Sequence, residues 1–109
     1  MAGLDEGLTA ELRIDTVVDQ SGACVIALAG ELDISNVESL DAAVASATEK
    51  PAQRLIFDLA ELRFMDSAGI AVLINATEKA ESVRLRNASP IVRRLVEATG
   101  LTGVLPIEP

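Results

Sequence analysis

Residues 54–79 read RLIFDLAELRFMDSAGIAVLINATEK, and this stretch decides the fold. Arg54-Leu55-Ile56-Phe57-Asp58-Leu59 is a run of strand length, apolar enough for the centre of a sheet. Residues 60–66 then read as a loop. From Ser67 the period changes: Ile70, Leu73, Ile74 and Thr77 mark one helical face. Ala71, Val72, Ala76 and Ala80 leave that helix little wholly polar surface. The spacing predicts a well-buried helix over Ser67–Lys79. Buried strand, loop, buried helix is the repeating step of an α/β sheet.

The flanks extend the pattern in both directions. Upstream, residues 10–18 alternate, with Ala10, Leu12, Ile14, Thr16 and Val18 on one face and Glu11, Arg13 and Asp15 on the other. Asp19-Gln20-Ser21-Gly22 is a turn, and residues 24–29 form a continuous apolar strand, so the two make a hairpin. Gly30 is read as the end of that strand and 31–34 as a loop. Ser35 followed by Glu38 fits a capping box. Val37, Leu40, Val44 and Ala47 then recur at helical spacing up to about Thr48, before Pro51. Downstream, residues 82–87 form a strand with Val83 and Leu85 inward and Arg84 and Arg86 outward. Ser89-Pro90 starts a last helix with the stripe Ile91, Leu95, Val96 and Thr99, stopped by Gly100. Residues 104–107 read as a short strand that Pro106 confines to an edge.

The order β-β-α-β-α-β-α-β predicts an α/β fold: a small mixed, mostly parallel sheet of four to five strands with three to four helices. At 109 residues the chain is expected to form one domain, with residues 1–8 a loose start. Ligand loops in such sheets lie beyond the carboxyl ends of the strands. Two loops qualify, 30–35 and 59–67.

Composition excludes most chemistry. The chain has no His, so no His-ligated metal and no Ser-His-Asp or Cys-His machinery. Its one Cys, Cys24, can form neither an internal disulfide nor a thiolate cluster, and it reads as an inert core residue. Neither phosphate-loop pattern is present. No catalytic residue, cofactor or metal is expected. No Trp or Tyr offers a stacking platform, and the net charge of −8 argues against nucleic acid or an anionic membrane as partner. The charge sits in residues 1–50, with ten acids against two bases; the remainder is balanced. The longest charge-free stretches, 20–30 and 67–77, are too short to span a membrane at about 20 residues. The acidic start is unlike a signal peptide. The expected location is cytoplasmic.

One segment keeps chemical interest: Phe64-Met65-Asp66-Ser67-Ala68-Gly69, between buried strand and buried helix. Ser67 lacks the upstream Gly and the base of a hydrolase nucleophile. Asp66 or Ser67 is read as the cap of the following helix. A hydroxyl at a helix N-terminus is also a good place for a phosphate, because dipole and free N–H groups stabilise added negative charge.

The run from Leu59 to Ile70 resembles the signature of bacterial anti-sigma factor antagonists, the STAS domain family. So do Gly30-Glu31-Leu32-Asp33-Ile34 in the first loop, and Ser89 to Leu95 with Thr99-Gly100-Leu101 in the last helix. The resemblance spans roughly residues 8–107. It implies that Ser67 is phosphorylated by an anti-sigma factor that is itself a serine kinase. It implies that the unphosphorylated form binds that kinase and frees the sigma factor, and that a serine phosphatase resets it. Asp33, Ser35, Asp66, Ser67, Ala68 and Gly69 are the expected partner face. Two other readings stand beside this one: a STAS scaffold subunit of a sensory or transporter complex, and a small nucleotide-binding module. Relatives often carry a second hydroxyl where this chain has Ala68.

The purified protein is expected to show no hydrolase, transferase or redox activity of its own. Robust ATP or GTP turnover, abolished by a point substitution in this chain, would contradict that.

Overall fold

The computed structural model describes residues 12–108. The expected loose start over 1–8, and Ala10 and Glu11 of the expected first strand, lie outside the described residues. Strand β1 (Leu12–Val18) pairs antiparallel with β2 (Cys24–Leu32) in one unbroken register, Leu12↔Gly30 to Val18↔Cys24. The turn between them forms where the sequence places it. Asp19 Oδ1 accepts from the Ser21 N–H at 2.8 Å, the Ser21 hydroxyl at 2.7 Å and the Ala23 N–H at 3.1 Å, and Gly22 supplies φ +89°. Helix α1 (Val37–Ala47) leads to β3 (Arg54–Met65), then α2 (Ser67–Lys79), β4 (Ser82–Arg86) and α3 (Pro90–Ala98).

The sheet order is β1-β2-β3-β4, with β2, β3 and β4 parallel. Two successive parallel crossovers of the same hand put α1 and α2 on one face, where they touch. All three helices join one core with Ile26, Leu28, Leu55, Phe57, Leu59, Val83 and Leu85. Among the described residues, the buried apolar cluster on the opposite sheet face is the small one of Ala23, Val25 and Ile56. The expected α/β fold with its mixed, mostly parallel sheet is therefore the observed one.

Several local expectations are corrected. Gly30 does not end β2: at φ +107° it sits inside the strand beside a register shift, and β2 continues to Leu32. Residues 60–65 are not loop but the second half of β3. Ala27 pairs with Asp58 and Ala29 with Glu61; Gly30 pairs with Leu62 and Glu31 with Phe64. At each step β3 inserts one extra residue, a bulge. Every bulge reverses the inside–outside phase, so Leu59, Leu62 and Met65 all point inward at a spacing of three. In β1 only Leu12 and Ile14 pack on the core, while Thr16 and Val18 are exposed, because the helical layer does not reach that corner. In α3 the buried positions are Val92 and Val96, with Leu95 packed against the core; of the expected stripe Leu95 and Val96 face inward, while Ile91 (61% exposed) and Thr99 do not. Gly100 (φ +74°) ends this helix as expected, with Gly100 N–H to Glu97 O and Leu101 N–H to Val96 O. The final segment is not a strand. It makes one parallel bridge, Leu85↔Ile107, where Leu85 donates to the Pro106 carbonyl. Pro106 has no N–H to extend the ladder.

The Ser21 hydroxyl, helped by the Ala23 and Ser21 N–H groups and Arg54, holds the Asp19 carboxyl below its ordinary value of 3.8. A lowered carboxylate stabilises the fold above its unfolded pKa and loses that contribution as pH falls through the folded one. Asp19→Ala is therefore expected to lower stability at neutral pH, with the gap to wild type closing below about pH 4. Urea denaturation across that range reads it; a gap independent of pH would remove the carboxylate's charge from the account.

Candidate functional site

The carboxyl ends of β2 and β3 finish together: Leu32 pairs with Met65, and the Asp66 N–H donates to the Leu32 carbonyl at 3.2 Å. The next residues, Asp33 on one strand and Asp66 then Ser67 on the other, thus leave the sheet side by side at one end. Three of the expected site positions, Asp33, Asp66 and Ser67, come from this junction alone. Helix α2 starts directly on it. Gly69, in its first turn, lies against both strand ends: a Cβ there would meet Met65 Cγ at 2.7 Å and Leu32 Cδ2 at 2.8 Å. Any side chain larger than hydrogen would push the helix off the residues that precede both loops.

The cap of α2 is Asp66. Its Oδ1 accepts from the Ala68 N–H at 2.9 Å and the Gly69 N–H at 3.2 Å, in extended backbone. Ser67 occupies the first helical position and is exposed. Among the described residues its hydroxyl has no hydrogen-bond partner. Of the two capping candidates in the sequence, Asp66 takes the role and leaves the Ser67 hydroxyl open to solvent at a positive helix end. Ala68, half-buried, follows it.

The other loop is built on Asp33. Its Oδ1 accepts from the Ser35 N–H at 2.9 Å and the Ser35 hydroxyl at 2.6 Å, and its carbonyl accepts from the Asn36 and Val37 N–H groups. Asn36 ties the loop back, accepting from the Asp33 N–H and donating to the Glu31 carbonyl. The expected capping box of Ser35 and Glu38 is absent. Asn36 stands at the cap position of α1, with no side-chain bond to the helix, because the Ser35 side chain is already held by Asp33. Asp33 therefore has a structural role as well as a place on the candidate surface.

Two apolar side chains at this end were not expected as site residues. Ile34 is 75% exposed at the tip of the β2–α1 loop, and Phe64, which pairs with Glu31, is 45% exposed. Phe64 faces out because of the second bulge, a feature that alternation in the sequence hides. The ion pair Arg63–Glu31 at 3.7 Å spans the same two strands. Cys24 lies elsewhere, buried in the core, and burial pushes its thiol up, as an inert residue requires. No group of His, Cys, Asp and Glu able to hold a metal occurs among the described residues, and no helix there is long and apolar enough to cross a membrane.

The geometry ranks three substitutions. Gly69→Ala is expected to cost about 1–3 kcal/mol through overpacking, Asp66→Ala about 1 kcal/mol through the lost cap, and Ser67→Ala no more than about 0.5 kcal/mol. Chemical denaturation of the three variants measures the order; a Ser67→Ala loss equal to that of Asp66→Ala would move the cap to Ser67.

Comparison with known proteins agrees with this architecture. The STAS domain model matches residues 15–109. The chain is 32% identical over 101 residues to the anti-sigma-F factor antagonist RsfA of Mycobacterium tuberculosis, covering 86% of this chain and 78% of that protein. A crystal structure of an anti-sigma factor antagonist from Mycobacterium paratuberculosis superposes with a TM-score of 0.75 at 29% identity, over 89% of this chain and 86% of that one. The Bacillus cell fate determinant SpoIIAA in its phosphorylated form superposes with a TM-score of 0.69 at 26% identity, over 89% of this chain and 92% of that one. With the sheet order, the paired loops and the Asp-Ser helix start all in place, the chain belongs to the STAS domain family.

Proposed function

We propose that this protein is a cytoplasmic anti-sigma factor antagonist without enzymatic activity, switched by phosphorylation of Ser67. Unmodified, it binds an anti-sigma factor with serine kinase activity and so frees a sigma factor for transcription. Phosphorylation releases it, and a serine phosphatase restores it. The partner face comprises Asp33, Ser35, Asp66, Ser67 and Ala68, with Ile34 and Phe64 as apolar contacts at its rim; Gly69, expected on this face, is buried beneath it against Leu32 and Met65 and positions it.

The observation that carries this reading is the division of labour at the start of α2. Asp66 caps, so Ser67 is free to be modified without loss of the cap. A phosphate adds about −1.5 to −2 charges at pH 7. The helix N-terminus offsets part of that, by about 0.3–1 kcal/mol, so the domain is expected to keep its shape. The effect falls on the complex. A partner carboxylate within about 5 Å of the phosphate adds up to about 3 kcal/mol of repulsion at an effective dielectric near 20. About 1.4–2.8 kcal/mol already weakens binding by ten- to a hundredfold. The names of the relatives and the existence of a phosphorylated SpoIIAA structure support the same reading.

The experiment is a titration of phosphorylated and unmodified protein against the cognate kinase, with circular dichroism on both. Ser67→Ala is expected to bind constitutively and Ser67→Asp weakly, with unchanged spectra. Asp33→Asn keeps the acceptor that orders its loop and removes the charge, so it is expected to weaken binding with little loss of stability. Equal affinity of the phosphorylated and unmodified forms would sink the switch and leave a scaffold role.

A further inference from the structure

The two edges of the sheet are treated differently. Beyond β4, the C-terminal segment closes the edge: Leu85 donates to the Pro106 carbonyl, the Glu108 N–H donates back to Leu85, and Glu108 pairs with Arg86 at 3.0 Å. Among the described residues, strand β1 is hydrogen-bonded on one side only. Over its seven residues it has no Pro, no Lys and no bulge, and its charged side chains are one Arg and one Asp, Arg13 and Asp15. At its far end Val17 is 59% and Val18 70% exposed.

The hydrogen-bonding phase of β1 follows from the turn. Asp19 donates its N–H to the Ala23 carbonyl at 2.9 Å, and the register below it is unbroken. Bonded pairs alternate in an antiparallel ladder, so Val17, Asp15 and Arg13 point their backbone groups at β2. Those of Leu12, Ile14, Thr16 and Val18 point away from it. A second antiparallel strand can therefore bond at Leu12, Ile14 and Thr16.

We propose that this edge pairs with the same edge of a second copy, antiparallel and centred on Ile14. Ile14 then bonds Ile14, and Leu12 bonds Thr16 twice by symmetry, which is the self-complementary arrangement a two-fold dimer needs. In the same register Arg13 of each copy stands opposite Asp15 of the other. These are non-bonded pairs, where Cα atoms approach to about 4.5 Å and side chains are closest. Both residues lie on the open sheet face, and within one chain they already sit 3.7 Å apart. A register centred on Thr16 sets Asp15 against Val17, and Arg13 against an Asp19 whose carboxylate is taken by the turn. Charge thus selects the Ile14 register. The β1 edge runs from the turn at Asp19 to Leu12, which pairs with Gly30, and the proposal does not rest on the function assigned at the Ser67 end.

The test is sedimentation equilibrium of the full chain from about 1 μM to 1 mM, at about 0.15 M salt so that the net charge of −8 is screened beyond about 8 Å. Wild type is expected to pass from monomer to dimer. Arg13→Asp and Asp15→Arg, each alone, oppose like charges twice and are expected to weaken association at least tenfold. An equimolar mixture of the two pairs an all-acidic edge with an all-basic one and is expected to recover the wild-type midpoint. Thr16→Pro removes an N–H that points away from β2, so it is expected to abolish the dimer while a circular dichroism melt still shows a folded chain. A wild type that stays monomeric throughout overturns the proposal. So does a dimer indifferent to both charge variants, or a mixture that fails to recover.

Discussion

The contact on which the rest of this structure depends is the seating of α2 on the ends of two strands. Gly69 lies close enough to Leu32 and Met65 that no Cβ fits, and the Asp66 N–H closes onto the Leu32 carbonyl. These two approaches lock the end of β2, the end of β3 and the start of α2 into one unit. Everything at the candidate site inherits its position from that unit. Asp33 emerges where it does because Leu32 is pinned, and Ser67 faces solvent because the helix axis is set by Gly69 and the cap by Asp66. The glycine is a packing requirement here, not a conformational one.

The strand beneath it owes its length to two bulges. A regular β3 would alternate, and after Leu59 the inward positions would be Glu61 and Arg63, which cannot be buried unpaired. One extra residue before Glu61 and another at Arg63 bring Leu62 and then Met65 to the core instead. The strand thereby reaches far enough to deliver Asp66 level with Asp33. Bulges concentrate next to functional sites because they re-aim side chains without ending the strand, and this one turns Phe64 outward.

The same bulges explain what the sequence could and could not disclose. Strands of simple periodicity, Cys24 to Ala29 and Arg54 to Leu59, were legible, as was the helix Ser67–Lys79 to the residue. The second half of β3 was not, because an inward spacing of three matches neither the strand nor the helix template. Gly30 read as a stop for the same reason: a glycine marks a bulge and a terminus alike. The Ser35 capping box was a plausible local pattern that lost to a stronger one, the carboxylate of Asp33 two residues upstream. Asp66 and Ser67 were legible as a helix start, but which of them capped was decided by geometry alone. Ile34 and Phe64 were invisible as site residues, since nothing in a sequence says that an apolar side chain fails to find the core.

That Asp66 and not Ser67 holds the cap also bears on where a switch can act. If Ser67 were the cap, adding a phosphate would disturb the bonds that hold the first turn, and the domain itself would change. With the cap on its neighbour, the Ala68 and Gly69 N–H groups stay with Asp66, and the added charge sits at the positive end of the helix, which favours it. On the proposed reading the cap is the same in both forms, so the modification has little differential energy with which to shift the conformation. On the proposed reading, discrimination between the two forms resides in the binding partner, in whether its surface over Ser67 accommodates a hydroxyl or a phosphate. A rigid site with one free hydroxyl is suited to that arrangement. Under the proposed switch it would present the same backbone in both states, with only the charge at its centre different.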